Sequence, residues 1–212
     1  MTELYLIRHG QTVYNVAERV QGNADSPLTE AGRADASALG RGLMKAGVVF
    51  DAAYASDLSR AQATAQLALD AADQYLPLQA DCDLREENYG RFEGHPQEQR
   101  AEALATLLPE ADITKLVPIA NTVHQLDPEG EDAQTVQLRF DKALRRIAEA
   151  ESGRVMVVAH GTVILLWLAY IGYPLHGQNR MNNAAVTRVT FADGKFAVHE
   201  FDSLAYVEAG RA

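Results

Sequence analysis

Three short apolar runs, Leu4-Tyr5-Leu6-Ile7, residues 51–55 and Val155-Met156-Val157-Val158-Ala159, each stop at polar residues and give way to a helical pattern. Runs of this length, apolar toward both faces, read as central parallel strands, and their alternation with helices describes an α/β chain. The expected architecture is three-layer αβα, a doubly wound, mostly parallel sheet. The residues just past each run are chemically loaded: Arg8-His9-Gly10, then Ser56-Asp57-Leu58-Ser59-Arg60, then His160-Gly161. In open α/β sheets ligands bind outside the carboxyl ends of the strands, so these residues should share one edge.

Between the strands, Thr29 is an expected helix N-cap and Gly47 the stop, while residues 56–69 place Ala61, Thr64, Ala65, Ala68 and Leu69 on one helical face. A strong amphipathic helix over 132–149 aligns Val136, Phe140, Leu144 and Ile147. Ala192-Asp193-Gly194 separates two alternating segments and reads as a hairpin turn. The segment 94–130, interrupted by Pro96, Pro109, Pro118 and Pro128, breaks the alternation. It reads as a small inserted cap over the strand ends of an otherwise single domain, 1–212.

At 212 residues and 47% hydrophobic, the chain can bury one ample core. Its net charge of −10 argues against a nucleic-acid partner, which requires a basic face, so any anion site must gather its cations locally. Cys82 is the only cysteine, which excludes an internal disulfide and favours a reducing compartment. A strand begins within a few residues of Met1, leaving no room for a secretory signal, and the longest apolar run, Val163 to Tyr173, is short of the ~20 residues of a spanning helix. A cytoplasmic protein without a membrane partner is expected. An exposed edge or helix face would allow a homodimer.

Arg8, His9, Arg60 and His160 together describe a site for a phosphoryl dianion. Guanidinium forks bind phosphoryl oxygens bidentately, helix N-termini add backbone donors, and Gly10 lets an oxyanion approach closely. Imidazole, with an ordinary pKa of ~6.5, is a competent nucleophile toward phosphorus at neutral pH. A metal is disfavoured because Arg8 and Arg60 would repel it and no His-Glu-x-x-His or similar ligand pair is present. Phosphate-loop, dinucleotide and serine-elbow motifs are absent too, so neither metal nor cofactor is expected. A leaving alkoxide needs a proton, and Leu84-Arg85-Glu86-Glu87-Asn88-Tyr89-Gly90 offers Glu86 or Glu87. Spacing does not choose between them.

With these residues in view, the sequence resembles the histidine phosphatase superfamily, in its phosphoglycerate mutase-like branch. The resemblance rests on Leu6-Ile7-Arg8-His9-Gly10-Gln11-Thr12 with Asn15, on Gln21-Gly22, Asp25, Pro27-Leu28-Thr29 and Gly32, and on Ser56-Asp57-Leu58-Ser59-Arg60-Ala61. It continues through Leu84-Arg85-Glu86, Tyr89-Gly90, Glu93-Gly94 and Val158-Ala159-His160-Gly161. It implies His9 as the nucleophile that becomes phosphorylated, Arg8, Arg60 and His160 as the phosphate pocket, and Glu86 as the proton donor. Asn15 and the backbone around Gln21-Gly22 and Gly161 would complete the pocket, with Glu87 and Tyr89 toward the rest of the substrate. The implied activity is metal-independent hydrolysis of small phosphomonoesters through phosphohistidine. A 2,3-bisphosphoglycerate-dependent mutase and a non-catalytic phospho-ligand sensor are the alternatives.

Departures from the pattern bear on substrate. Gln11 replaces the commoner glutamate, and Glu87 stands where glycerate mutases carry an arginine for the substrate carboxylate, so a charged Glu87 should repel 3-phosphoglycerate. The cap lacks paired arginines. Its cations are scattered, Arg100, Lys115, His95 and His124, among apolar Leu104, Leu107, Leu108, Ile113, Leu116, Val117 and Ile119; most of these read as core residues at helical spacing, and any that line the pocket favour a phosphomonoester with an apolar portion.

Overall fold

The three apolar runs form the middle of one sheet. In the computed structural model, which describes residues 1–112 and 115–212, β1 (Thr2–Arg8), β2 (Ala52–Ser56) and β4 (Gly153–Ala159) lie in the order β3-β2-β4-β1-β5-β6. β3 (Leu78–Asp81) forms one edge, and the hairpin of β5 (Val186–Ala192) and β6 (Lys195–Ser203) ends the other side with β6 outermost. Pairings from β3 through β1 are parallel; β5 runs antiparallel to β1 and to β6. The sheet is therefore doubly wound and mostly parallel, as the strand–helix alternation implies.

Alternation along the strands builds the three layers. Leu4 and Leu6, with Val155 and Val157, face α6 (Ala133–Ala150) and α7 (Gly161–Tyr170), whose Phe140, Leu144, Ile147 and Trp167 are fully buried. Tyr5 and Ile7, with Met156 and Val158, face α2 (Glu30–Lys45), α3 (Ser59–Ala71) and α8 (Ala205–Arg211). The expected helix punctuation is present: Thr29 Oγ1 accepts from Gly32 N at 3.0 Å, a cap worth about 1 kcal/mol, and Gly47 takes a positive φ of 68° just beyond the end of α2. α7 is apolar on every side because sheet and α6 enclose it. On its buried side Trp167 Nε1 donates to Asp141 Oδ1 at 3.0 Å.

The connection leaving β1 runs over the α2 face toward β2, whereas the one leaving β4 runs over the α7 face to β5 on the other side of β1. The carboxyl ends of β1 and β4 thus form a topological switch point, where a crevice opens between diverging connections. Close backbone approach narrows its floor. A Cβ on Gly10 would stand 2.6 Å from the Gly32 carbonyl oxygen, and one on Gly32 would stand 2.1 Å from the Gln11 carbonyl oxygen.

The segment 94–130 contributes α4 (Gln97–Ala105) and α5 (Leu116–Leu126). Pro118 fits inside α5 because it occupies the first turn, where its missing N–H has no intrahelical partner to lose. Leu104 and Val123 pack on Val20, Tyr89 and Phe92 in a small cluster of their own. Leu108 is buried as well, whereas Leu107 and Val117 are exposed, and Ile113 lies outside the described residues.

Candidate active site

Arg8 ends β1, and His9 comes next with its N–H donating to Ala159 O at 3.0 Å, which ties the first residue beyond β1 to the end of β4. His160 caps α7 immediately after β4. The two imidazoles consequently meet edge to face, centroids 5.2 Å apart. His9 Nδ1 donates to the Gly10 carbonyl at 2.8 Å, so the neutral ring carries its proton there and keeps the Nε2 lone pair free for attack. Burial, then the charges of Arg60 and Arg8, hold the His9 pKa well below the usual histidine value. Burial and Arg60 do the same to His160.

Arg60, in the first turn of α3, is fully buried and commits its terminal nitrogens to the 22–25 turn. One donates to Gly22 O at 2.7 Å, the other to Ala24 O and Asp25 Oδ1, each at 3.1 Å. Arg8 donates to Met181 O. After these bonds, Arg8 Nε, Arg60 Nε and both ring nitrogens of His160 remain buried with no partner in the protein. Orphaned buried donors are costly unless a ligand supplies acceptors. Here they come from the strand ends and helix starts that make one crevice, and they suit the oxygens of a phosphoryl group.

Asn15 is tied into the same edge. Its Oδ1 accepts from Thr12 N at 3.1 Å, completing the capping box of α1 (Val13–Val16), and from Asn183 Nδ2 at 3.2 Å. Those bonds fix the amide so that Nδ2 faces the opposite way, available as a donor. Asn183 also donates to His9 O at 3.0 Å. No motif in the sequence points to it.

Glu86 and Glu87 separate clearly. Glu86 accepts from Val163 N at 2.7 Å and Glu87 N at 3.1 Å through Oε1, and from Thr162 N at 2.9 Å through Oε2, seating its carboxyl at the N-terminus of α7 beside His160. Glu87 is 1% exposed and its Oε1 has no partner. Burial, then the nearby Glu86, push the Glu87 pKa well above the usual carboxylate range. Burial and this upward shift both weaken the repulsion of a substrate carboxylate expected from the sequence. The protonation of Glu87 also couples to stability. Above the ordinary value of about 4.3 the unfolded chain ionises while the folded protein keeps the proton, so stability is lost as pH rises. Glu87→Gln is expected to melt above the parent at neutral pH and with it at pH 4, read by thermal unfolding at both; an equal shift at both would contradict it.

The remaining expected residues are placed differently. Tyr89 is buried, its hydroxyl 2.7 Å from Thr162 Oγ1 and its ring under the Arg100 guanidinium at 5.0 Å. Gly161 starts α7 so close to Arg8 that a Cβ would stand 3.3 Å from Arg8 Nε. The side chain of Gln21 is engaged with Thr12 and Ser26, and Gly22 N donates to Glu93 Oε2 at 3.0 Å. Glu93 also accepts from the amides of Asn23, Ala24 and Tyr89 at 2.8 to 2.9 Å. Its carboxylate thereby holds the turn whose carbonyls hold Arg60. Among the described residues no group of three or more His, Cys, Asp or Glu is arranged for a metal ion, and no helix is long and apolar enough to cross a membrane.

The same arrangement has known relatives. Residues 4–203 match the model of the histidine phosphatase superfamily (branch 1). A Yersinia pestis (strain Pestoides F) protein called "Probable phosphoglycerate mutase GpmB" is 32% identical over 197 residues, 91% of this chain and 86% of that protein. Among solved structures, phosphoglycerate mutase from Bacillus anthracis superposes with a TM-score of 0.89 at 32% identity, covering 100% of this chain and 97% of that one. Mycobacterial glucosyl-3-phosphoglycerate phosphatase gives 0.76 at 26% identity, covering 95% and 98%. The family model spans nearly the whole chain and takes in every residue of the dianion crevice, and on that ground the chain belongs to branch 1 of the histidine phosphatase superfamily.

Proposed function

We propose that the protein is a metal-independent phosphomonoesterase acting on small phosphorylated metabolites through a phosphohistidine at His9. The observation that carries this reading is the set of orphaned buried donors, Arg8 Nε, Arg60 Nε and the His160 ring, gathered beside an imidazole whose Nε2 is free. Fixed cations and donors of this kind stabilise the charge of a transferring phosphoryl group without a metal. His9 Nε2 attacks phosphorus as the ester P–O bond breaks, and Glu86 gives its proton to the leaving oxygen. Water then attacks phosphorus, Glu86 takes its proton back, the P–N bond breaks and phosphate departs. Oε2 of Glu86 accepts a single backbone bond and has a lone pair to carry that proton.

A mutase that returns the phosphoryl group to a second hydroxyl is the competing reading, supported by the names of the Yersinia and Bacillus relatives. Hydrolysis is favoured because position 87 offers no cation for a substrate carboxylate. Arg100, stacked on Tyr89 from α4, is a candidate to replace it. The deciding experiment offers the protein a panel of phosphomonoesters together with 3-phosphoglycerate primed by 2,3-bisphosphoglycerate, following both phosphate release and isomerisation. Phosphate release is expected to dominate on every ester. Isomerisation outpacing release would replace this reading with the mutase, and tight phosphate binding without turnover would replace both with a sensor.

A further inference from the structure

Glu86 sits on an irregular loop, yet its main chain is fixed as tightly as its side chain. The fixing comes from Arg139 on α6, a residue outside the dianion crevice. Its Nη1 donates to Asp83 O at 3.0 Å and Arg85 O at 2.8 Å, and its Nη2 donates to Glu86 O at 2.9 Å. Glu131 completes the clamp, accepting from Arg139 Nε at 2.7 Å and Nη2 at 2.9 Å and from Asn88 N at 2.9 Å. One guanidinium, 17% exposed, thus gathers three carbonyls from residues 83–86, and its counter-ion holds the amide two residues beyond Glu86. From the other side, the amides of Thr162 and Val163 on α7 hold the Glu86 carboxyl. Since α6 and α7 pack in one apolar cluster, the loop is stretched between two elements of a single rigid layer.

We propose that Arg139 is a positioning residue for the proton-transfer step, holding Glu86 at the distance and angle the leaving oxygen requires. The proposal rests on Glu86 being the proton donor. Arg139 makes no hydrogen bond to His9, Arg8, Arg60 or His160; its hydrogen-bonded tie to the site is the main chain of Glu86 and its loop. A lysine keeps the charge but, as a point donor, cannot span three carbonyls and a carboxylate.

Leaving groups separate positioning from general structural support. An aryl ester such as 4-nitrophenyl phosphate releases a phenolate that needs no proton, whereas an alkyl ester such as glycerol phosphate releases an alkoxide that does. The value of kcat/KM reports only the steps through formation of phosphohistidine. With the full chain, Arg139→Gln is expected to lower kcat/KM on the alkyl ester by about 10²-fold, the low end of general-acid catalysis, and on the aryl ester by less than about threefold. Glu86→Gln should show the same selectivity, and the double variant should be no worse on the alkyl ester than Glu86→Gln alone, because Arg139 has nothing left to position. Arg139→Lys should show a smaller loss with the same selectivity and decides the matter if the glutamine variant does not fold. Equal losses on both esters, no loss, or multiplicative effects in the double variant would overturn the proposal while leaving Glu86 as donor. Equal losses on both esters in Glu86→Gln itself would overturn the donor reading, and this one with it.

Discussion

His9→Ala is expected to abolish phosphate release from every ester, with kcat/KM falling on the order of 10⁴- to 10⁶-fold, the scale seen when a covalent nucleophile is removed from a site whose other parts remain. The loss should be chemical and not structural. The His9 ring makes one side-chain hydrogen bond, to its own neighbour's carbonyl, and its backbone bond to Ala159 survives the substitution. Burial beside Arg60 and Arg8 favours the neutral imidazole, which presents the Nε2 lone pair. Trapping the parent enzyme with labelled ester should leave acid-labile, base-stable phosphate on His9. Undiminished turnover in the alanine variant, or acid-stable label on another residue, would end the phosphohistidine mechanism.

The crevice is largely legible in the sequence. Arg8, His9, Arg60 and His160 each come after an apolar strand, and strand ends in a doubly wound sheet share an edge, so position along the chain alone brings them together. Glu86 and Glu87 cannot be told apart in the same way. Both are carboxylates in one loop, and what distinguishes them is environment: three backbone amides around one, burial with an unpartnered oxygen for the other. The residues that the sequence does not reveal share a physical cause. Arg139 and Asn183, and Glu93, whose place in a motif carries no role, act on main-chain amides and carbonyls of distant segments, and a backbone group has no residue type to recognise. β3 escapes notice because its four residues form a half-solvated edge without apolar alternation.

Arg60 should carry the second-largest effect, and on two quantities at once. Arg60→Met is expected to lower kcat/KM on the order of 10²- to 10³-fold, the usual consequence of removing a fixed donor from a developing oxyanion. It should also destabilise the fold by about 3 kcal/mol, because Gly22 O and Ala24 O lose their donor and Asp25 loses its cation. Asp25 limits that cost: it is 29% exposed and retains the Ser59 amide at 2.6 Å. Arg60→Lys separates the two effects. The lysine restores a buried positive charge near Asp25 but lacks the fork that reaches both carbonyls and still presents Nε toward the phosphoryl group. Its stability should recover in part while kcat/KM stays at least about tenfold below the parent, measured by denaturant unfolding and by phosphate release on the same preparations. A methionine variant that keeps activity within about tenfold of the parent would remove the guanidinium from the transition state. It would leave Arg60 as a brace for the 22–25 turn, and the burden of neutralising the phosphoryl group would fall on Arg8 and His160.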